Sequence, residues 1–99
     1  MVFARELKRL AKKHRSLKQD ILLLKKDLEL DPGLGIDLGD GFRKIRLKIT
    51  SKGKGKSGGA RVVTRDIIIS QQHHKIIFVF IWDKSEIKNV NINLLKQFL

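Results

Sequence analysis

The sequence predicts an α+β fold, with two N-terminal helices laid on one face of a small antiparallel sheet and a short helix closing the chain. Three observations carry this. Apolar residues recur at helical spacing from Phe3 to Leu28, the period falls to two between Ile45 and Ile49, and a polar turn divides two long apolar runs in the C-terminal half. Ninety-nine residues, 41% of them apolar, make one domain, 1–99, with a modest core.

Phe3, Leu7, Leu10, Leu17, Ile21, Leu24 and Leu28 stand three, four or seven residues apart, with His14 filling the long gap. Ser16-Leu-Lys-Gln19 has the S-x-x-Q form of a capping box. The spacing therefore predicts helices over about 2–14 and 16–30, with His14 at a helix end. Asp31-Pro32-Gly33 stops the second helix, because proline lacks the N–H and disfavours helical dihedrals before it. Residues 31–41 read as a glycine-rich acidic loop. Ile45, Leu47 and Ile49 then alternate with Lys44, Arg46 and Lys48, a half-buried strand with one basic face. Ser51 to Gly59 reads as a flexible loop. Ala60–Ser70 and Ile76–Trp82 complete a three-stranded meander through the turn Gln71–Lys75. The last strand is apolar on both faces, which predicts a central place in the sheet. Asn91 is placed to cap a final helix carrying Leu94, Leu95, Phe98 and Leu99.

Charge is distributed unevenly. Phe42 to Arg65 holds nine positive residues and no negative one, against a net charge of +12 for the whole chain. A solvated surface normally mixes signs, so a one-sign block is a field for a polyanion, commonly a nucleic acid. The absence of cysteine excludes a disulfide framework and thiolate metal sites. No His/Asp/Glu cluster has metal-ligand spacing, and no metal or cofactor is expected. No apolar run approaches the roughly 20 residues of a membrane span, and the N-terminus lacks a signal-peptide core, so a cytoplasmic protein is expected. Gly53 to Gly58 spells G-x-G-x-x-G without a βαβ unit, and Gly55-Lys-Ser57 ends like a P-loop whose first glycine is replaced by Thr50. Neither is read as a nucleotide site.

Phe42-Arg-Lys-Ile-Arg-Leu, the loop Ser51-Lys-Gly-Lys-Gly-Lys-Ser-Gly-Gly-Ala-Arg61-Val and Trp82-Asp-Lys-Ser-Glu86 resemble the RelE/ParE toxin superfamily, nearest its HigB-like branch. Glu6-Leu-Lys-Arg-Leu-Ala-Lys-Lys13 is similar too. The resemblance implies a toxin of a type II toxin–antitoxin module. The implied activity is ribosome-dependent cleavage of messenger RNA, by metal-independent attack of a ribose 2′-hydroxyl on phosphate. The implied partners are a cognate antitoxin, in a hetero-oligomer, with the ribosome and its message. The ParE branch poisons DNA gyrase instead, and a non-catalytic RNA-binding module on the same fold is a third reading. Two departures stand out. Relatives carry a strand before the first helix, whereas only Met1 and Val2 precede Phe3 here; the chain starts late, or the sheet keeps an open edge for a partner. Relatives carry Tyr-Asp-Lys-Ser where this chain has Trp82-Asp-Lys-Ser. That change keeps a stacking role and loses a phenol proton.

Cleavage of this kind needs a base for the 2′-hydroxyl, stabilisation of the phosphate and an acid for the 5′-oxygen. On the motif matches, Arg61 stabilises the phosphate with its bidentate fork. Lys54 and Lys56 are base or acid candidates, since crowding by like charge lowers a lysine pKa. Lys84 also lines the site, on the face of Trp82 and Phe80 if the strand runs that far. Lys52 is a positioning charge, and Arg43, Lys44, Arg46, Lys48 and Arg65 are RNA-backbone contacts. Trp82 is a base-stacking candidate, against the commoner reading of an in-strand tryptophan as core.

Overall fold

The computed structural model describes residues 2–53, 55 and 58–97. Its element order is α1 (Val2–Lys13), α2 (Leu17–Leu30), β1 (Ile36–Gly39), β2 (Phe42–Leu47), a 3-10 turn (Thr50–Lys52), β3 (Ala60–Ser70), β4 (His73–Asp83) and α3 (Ile92–Gln97). The strands form one antiparallel sheet in the order β1-β2-β3-β4. The expected α+β architecture is what the chain adopts.

Both N-terminal helices lie on one sheet face. Phe3, Leu10, Leu17, Ile21, Leu24 and Leu28 pack on Ile45, Leu47, Ile49, Ala60, Val62 and Ile81. The opposite face carries a smaller core of Phe42, Val63 and Trp82, covered by Val90, Ile92 and Leu95 from the C-terminal segment. The register explains the division. Phe42 pairs with Arg65, Lys44 with Val63, and Arg46 with Arg61, so these six share the face away from α1 and α2.

Four expectations are corrected. The sheet has four strands, because part of the 31–41 loop forms β1 and returns through Asp40 and Gly41, both at positive φ. The β3–β4 turn is only Gln71 and Gln72, since His73, His74 and Lys75 already pair across the hairpin. β4 is an edge strand rather than a central one; it is apolar on both faces because α1 packs on one, with Phe3 stacked on Phe78, and the C-terminal segment on the other. Ser16 does not cap with Gln19. Its backbone is already helical, and its hydroxyl donates to Asp20 at 2.8 Å and accepts from the Ser51 N–H at 2.8 Å. The Asn91 cap is as expected, accepting from the N–H groups of Asn93 and Leu94. Phe98 and Leu99 lie outside the described residues.

Gly59, where the basic loop rejoins the sheet, is the tightest point. A Cβ there would lie 2.1 Å from the Leu47 carbonyl oxygen. Gly59→Ala is expected to destabilise the domain by about 2 kcal/mol through overpacking. Chemical denaturation should show this as a lower midpoint with an unchanged slope, and an unmoved midpoint would refute it.

Candidate functional site

β1 covers only the first half of β2, pairing with Phe42, Arg43 and Lys44. Beyond it the β2 edge opens into a groove of about 800 Å³ between α2 and the basic sheet face. Lys44, Arg46, Lys48, Arg61 and Lys84 line one side of it.

Arg61 is the centre of this cluster. It is only 5% exposed and stands beside Trp82 and Arg46 in the sheet register. One guanidinium nitrogen donates to its own strand's Ala60 carbonyl at 3.1 Å. Burial lowers its pKa, and the neighbouring Arg46 charge lowers it further. Two guanidinium groups held together at the margin of a groove gain from any anion seated between them. Lys84 follows the end of β4 rather than extending it, yet it reaches the same groove, held by its N–H to the Gly59 carbonyl at 3.1 Å.

Several expected contacts lie elsewhere. Arg43 faces the helical side, where its guanidinium donates to the carbonyls of Gly33, Leu34 and Gly35 and so fastens the turn after α2. Arg65 lies over the Phe42 ring at 4.9 Å, away from the groove. Trp82 is 2% exposed and belongs to the core beneath α3, so its ring is no open stacking platform. Its indole N–H is buried with no hydrogen-bond partner among the described residues. Lys54 and Lys56 lie outside the described residues.

Lys52 is committed to a network that sequence reasoning missed. Its ammonium donates to Asp83 at 2.8 Å and to the Ser85 hydroxyl at 3.0 Å. Asp83, 2% exposed, also accepts from the Ser85 N–H and hydroxyl and lies 2.8 Å from His14 Nε2. Burial alone would raise the Asp83 pKa; the hydrogen bonds from Lys52, Ser85 and His14 together outweigh it and hold the carboxyl far below its ordinary value. A second buried carboxylate, Asp20, accepts from the Thr50 N–H at 3.0 Å and its hydroxyl at 2.6 Å. Two buried acids thus pin the start of the lysine-rich loop to the helices and to β4. Beside them, Glu86 receives Arg9 and Lys13, whose hydrogen bonds lower its pKa to about 2 and tie α1 to the segment after β4. The only sequence signals were an aspartate closing an apolar strand and one acidic residue in the first turn of α2. Neither names its partner.

No group of three or more His, Cys, Asp or Glu converges to hold a metal among the described residues. None of the described helices is long and apolar enough to cross a membrane.

Fold and site together define a small α+β domain with a basic groove at the open half of the β2 edge. Residues 2–99 match the family described as the RelE toxin of the RelE/RelB toxin–antitoxin system, and the chain belongs to that family. It is accordingly a toxin of a toxin–antitoxin system, and membership implies a cognate antitoxin.

Proposed function

We propose that this toxin is a ribosome-dependent endoribonuclease that cleaves messenger RNA. The observation carrying this reading is the Arg46–Arg61 pair at the groove, flanked by Lys44, Lys48 and Lys84. A phosphodiester seated there receives guanidinium forks on its non-bridging oxygens, where negative charge grows in the transition state. A lysine removes the 2′-hydroxyl proton, and the 2′-oxygen forms a bond to phosphorus as the bond to the 5′-oxygen breaks. A second lysine returns a proton to that leaving oxygen. The products are a 2′,3′-cyclic phosphate and a 5′-hydroxyl end. Lys54, Lys56 and Lys84 are the candidates for proton transfer, and Arg61 for charge stabilisation. Lys44 and Lys48 are proposed to track the RNA backbone. Lys52, bound to Asp83, is assigned to holding the loop rather than to chemistry.

The test is the purified chain added to ribosomes stalled on a defined message, with mapping of the RNA ends. New 5′-hydroxyl ends inside the ribosomal A site, absent when ribosomes are omitted, support the proposal. Intact message overturns it, and intact message together with a cellular DNA-damage response redirects it to DNA gyrase.

A further inference from the structure

The β3–β4 hairpin outruns the rest of the sheet. β2 stays with β3 only as far as the Phe42–Arg65 pair, and a bond from the Asp66 N–H to the Gly41 carbonyl at 2.8 Å closes that edge. Beyond it Asp66 pairs with Ile76, Ile67 with Lys75, Ile68 with His74 and Ser70 with His73, so residues 66–76 form a two-stranded arm. Such a ribbon is marginal in water by itself. This one carries three isoleucines in a row, Ile67, Ile68 and Ile69, with Ile68 70% and Ile69 65% exposed. Alternation sends Ile67 and Ile68 to opposite faces, so the arm is apolar on both. An exposed apolar ribbon whose strand edges are unpaired among the described residues is a template for another chain.

Charge decides which chain. Residues 67–74 contain no Lys, Arg, Asp or Glu, the longest such run in a chain of net charge +12. Asp66 and Lys75 bracket the run with opposite signs, and His74 lies 3.1 Å from Asp66. Over most of its surface a second copy is repelled by like charge, and at the arm it is not. A nucleic acid finds no Lys or Arg to grip along this run. An acidic partner is drawn instead to the one-sign block between Phe42 and Arg65.

We propose that two copies of this chain associate through these arms, with Ile67, Ile68 and Ile69 of one packing on the same residues of the other about a twofold axis. A twofold contact uses one patch twice, so a single self-complementary arm is sufficient. Each copy covers isoleucines that otherwise face water and braces a ribbon that lacks a third strand. The basic grooves stay open in the pair. Arg61 and Ile69 stand near opposite ends of β3, about 26 Å apart at the rise of an extended strand. The arms are small, so the association belongs to the weak class that buries less than about 1,200 Å².

The test measures the mass of the full chain by sedimentation over a range of protein concentration and salt. Wild type should pass from monomer to dimer within about 10–1,000 μM, as a weak interface does. Added sodium chloride should strengthen the dimer, because it screens repulsion between two chains of +12. Ile68→Lys and Ile69→Lys, both at exposed positions, should each weaken it by roughly tenfold or more and leave the thermal unfolding midpoint in place. The chain has no cysteine, so Ser70→Cys sets a single thiol on the arm. A short bis-maleimide should join that chain to its copy and should leave Lys25→Cys, on α2, unjoined. A monomer at every concentration, a dimer that salt dissolves, a dimer indifferent to both lysine variants, or equal cross-linking of the Lys25→Cys chain would each overturn the proposal. If the lysine variants unfold, Ser70→Cys still decides, since failure to cross-link means that the arms do not meet.

Discussion

Arg61→Ala is expected to lower message cleavage by about 10²–10³-fold, the usual consequence of removing one preorganised donor from a developing oxyanion. Arg61→Lys should recover only part of the loss, since an ammonium keeps the charge and loses the planar fork. The fold should survive. The guanidinium is buried beside Arg46, and relief of that desolvation and repulsion offsets the packing lost next to Trp82. The measurement pairs cleavage rate on stalled ribosomes with the thermal unfolding midpoint. Wild-type cleavage by Arg61→Ala would remove Arg61 from the chemistry. A collapsed midpoint would make it a structural residue instead.

Asp83→Asn is expected to destabilise the domain by about 3 kcal/mol near neutral pH, because it leaves the Lys52 ammonium without its counter-charge at the base of the loop. The pH dependence has a definite sign. In the folded state the Asp83 carboxyl is held below its ordinary value of 3.8. Its contribution is therefore complete above that pH and is lost as pH falls toward the depressed folded value. Wild type and Asp83→Asn should differ most at about pH 7 and converge toward about pH 2. Glu86, moved from 4.5 to about 2, adds the same kind of acid loss to both proteins. Denaturant unfolding across this range is the check. A difference that does not shrink in acid would mean that Asp83 acts through packing rather than charge.

Much of the fold was legible because its signals are local. Helical spacing placed α1 and α2 within a residue or so of their observed limits, and Ala60–Ser70 was read with its observed ends. Losses came where one signal masks another. Ile36 and Leu38 alternate with Asp37 and Gly39 as a strand should, but the glycines and acids around them read as loop until the pairing with β2 is seen. β4 read as central because apolar side chains report covered faces, and they carry no information about whether the main-chain edge is paired.

The candidate site divides the same way. By itself the sequence determined that this chain carries a one-sign block able to meet a polyanion, and that the block spans a strand and a loop, because charge and periodicity are properties of neighbouring residues. Only the tertiary structure decided how the charges are used. It turned Arg43 onto the carbonyls after α2, Lys52 onto Asp83 and Arg65 onto Phe42, and it left Arg46, Arg61 and Lys84 at the groove. A long cationic side chain takes its partner from whatever the strand register and helix packing bring within reach, and those contacts join residues far apart in the chain.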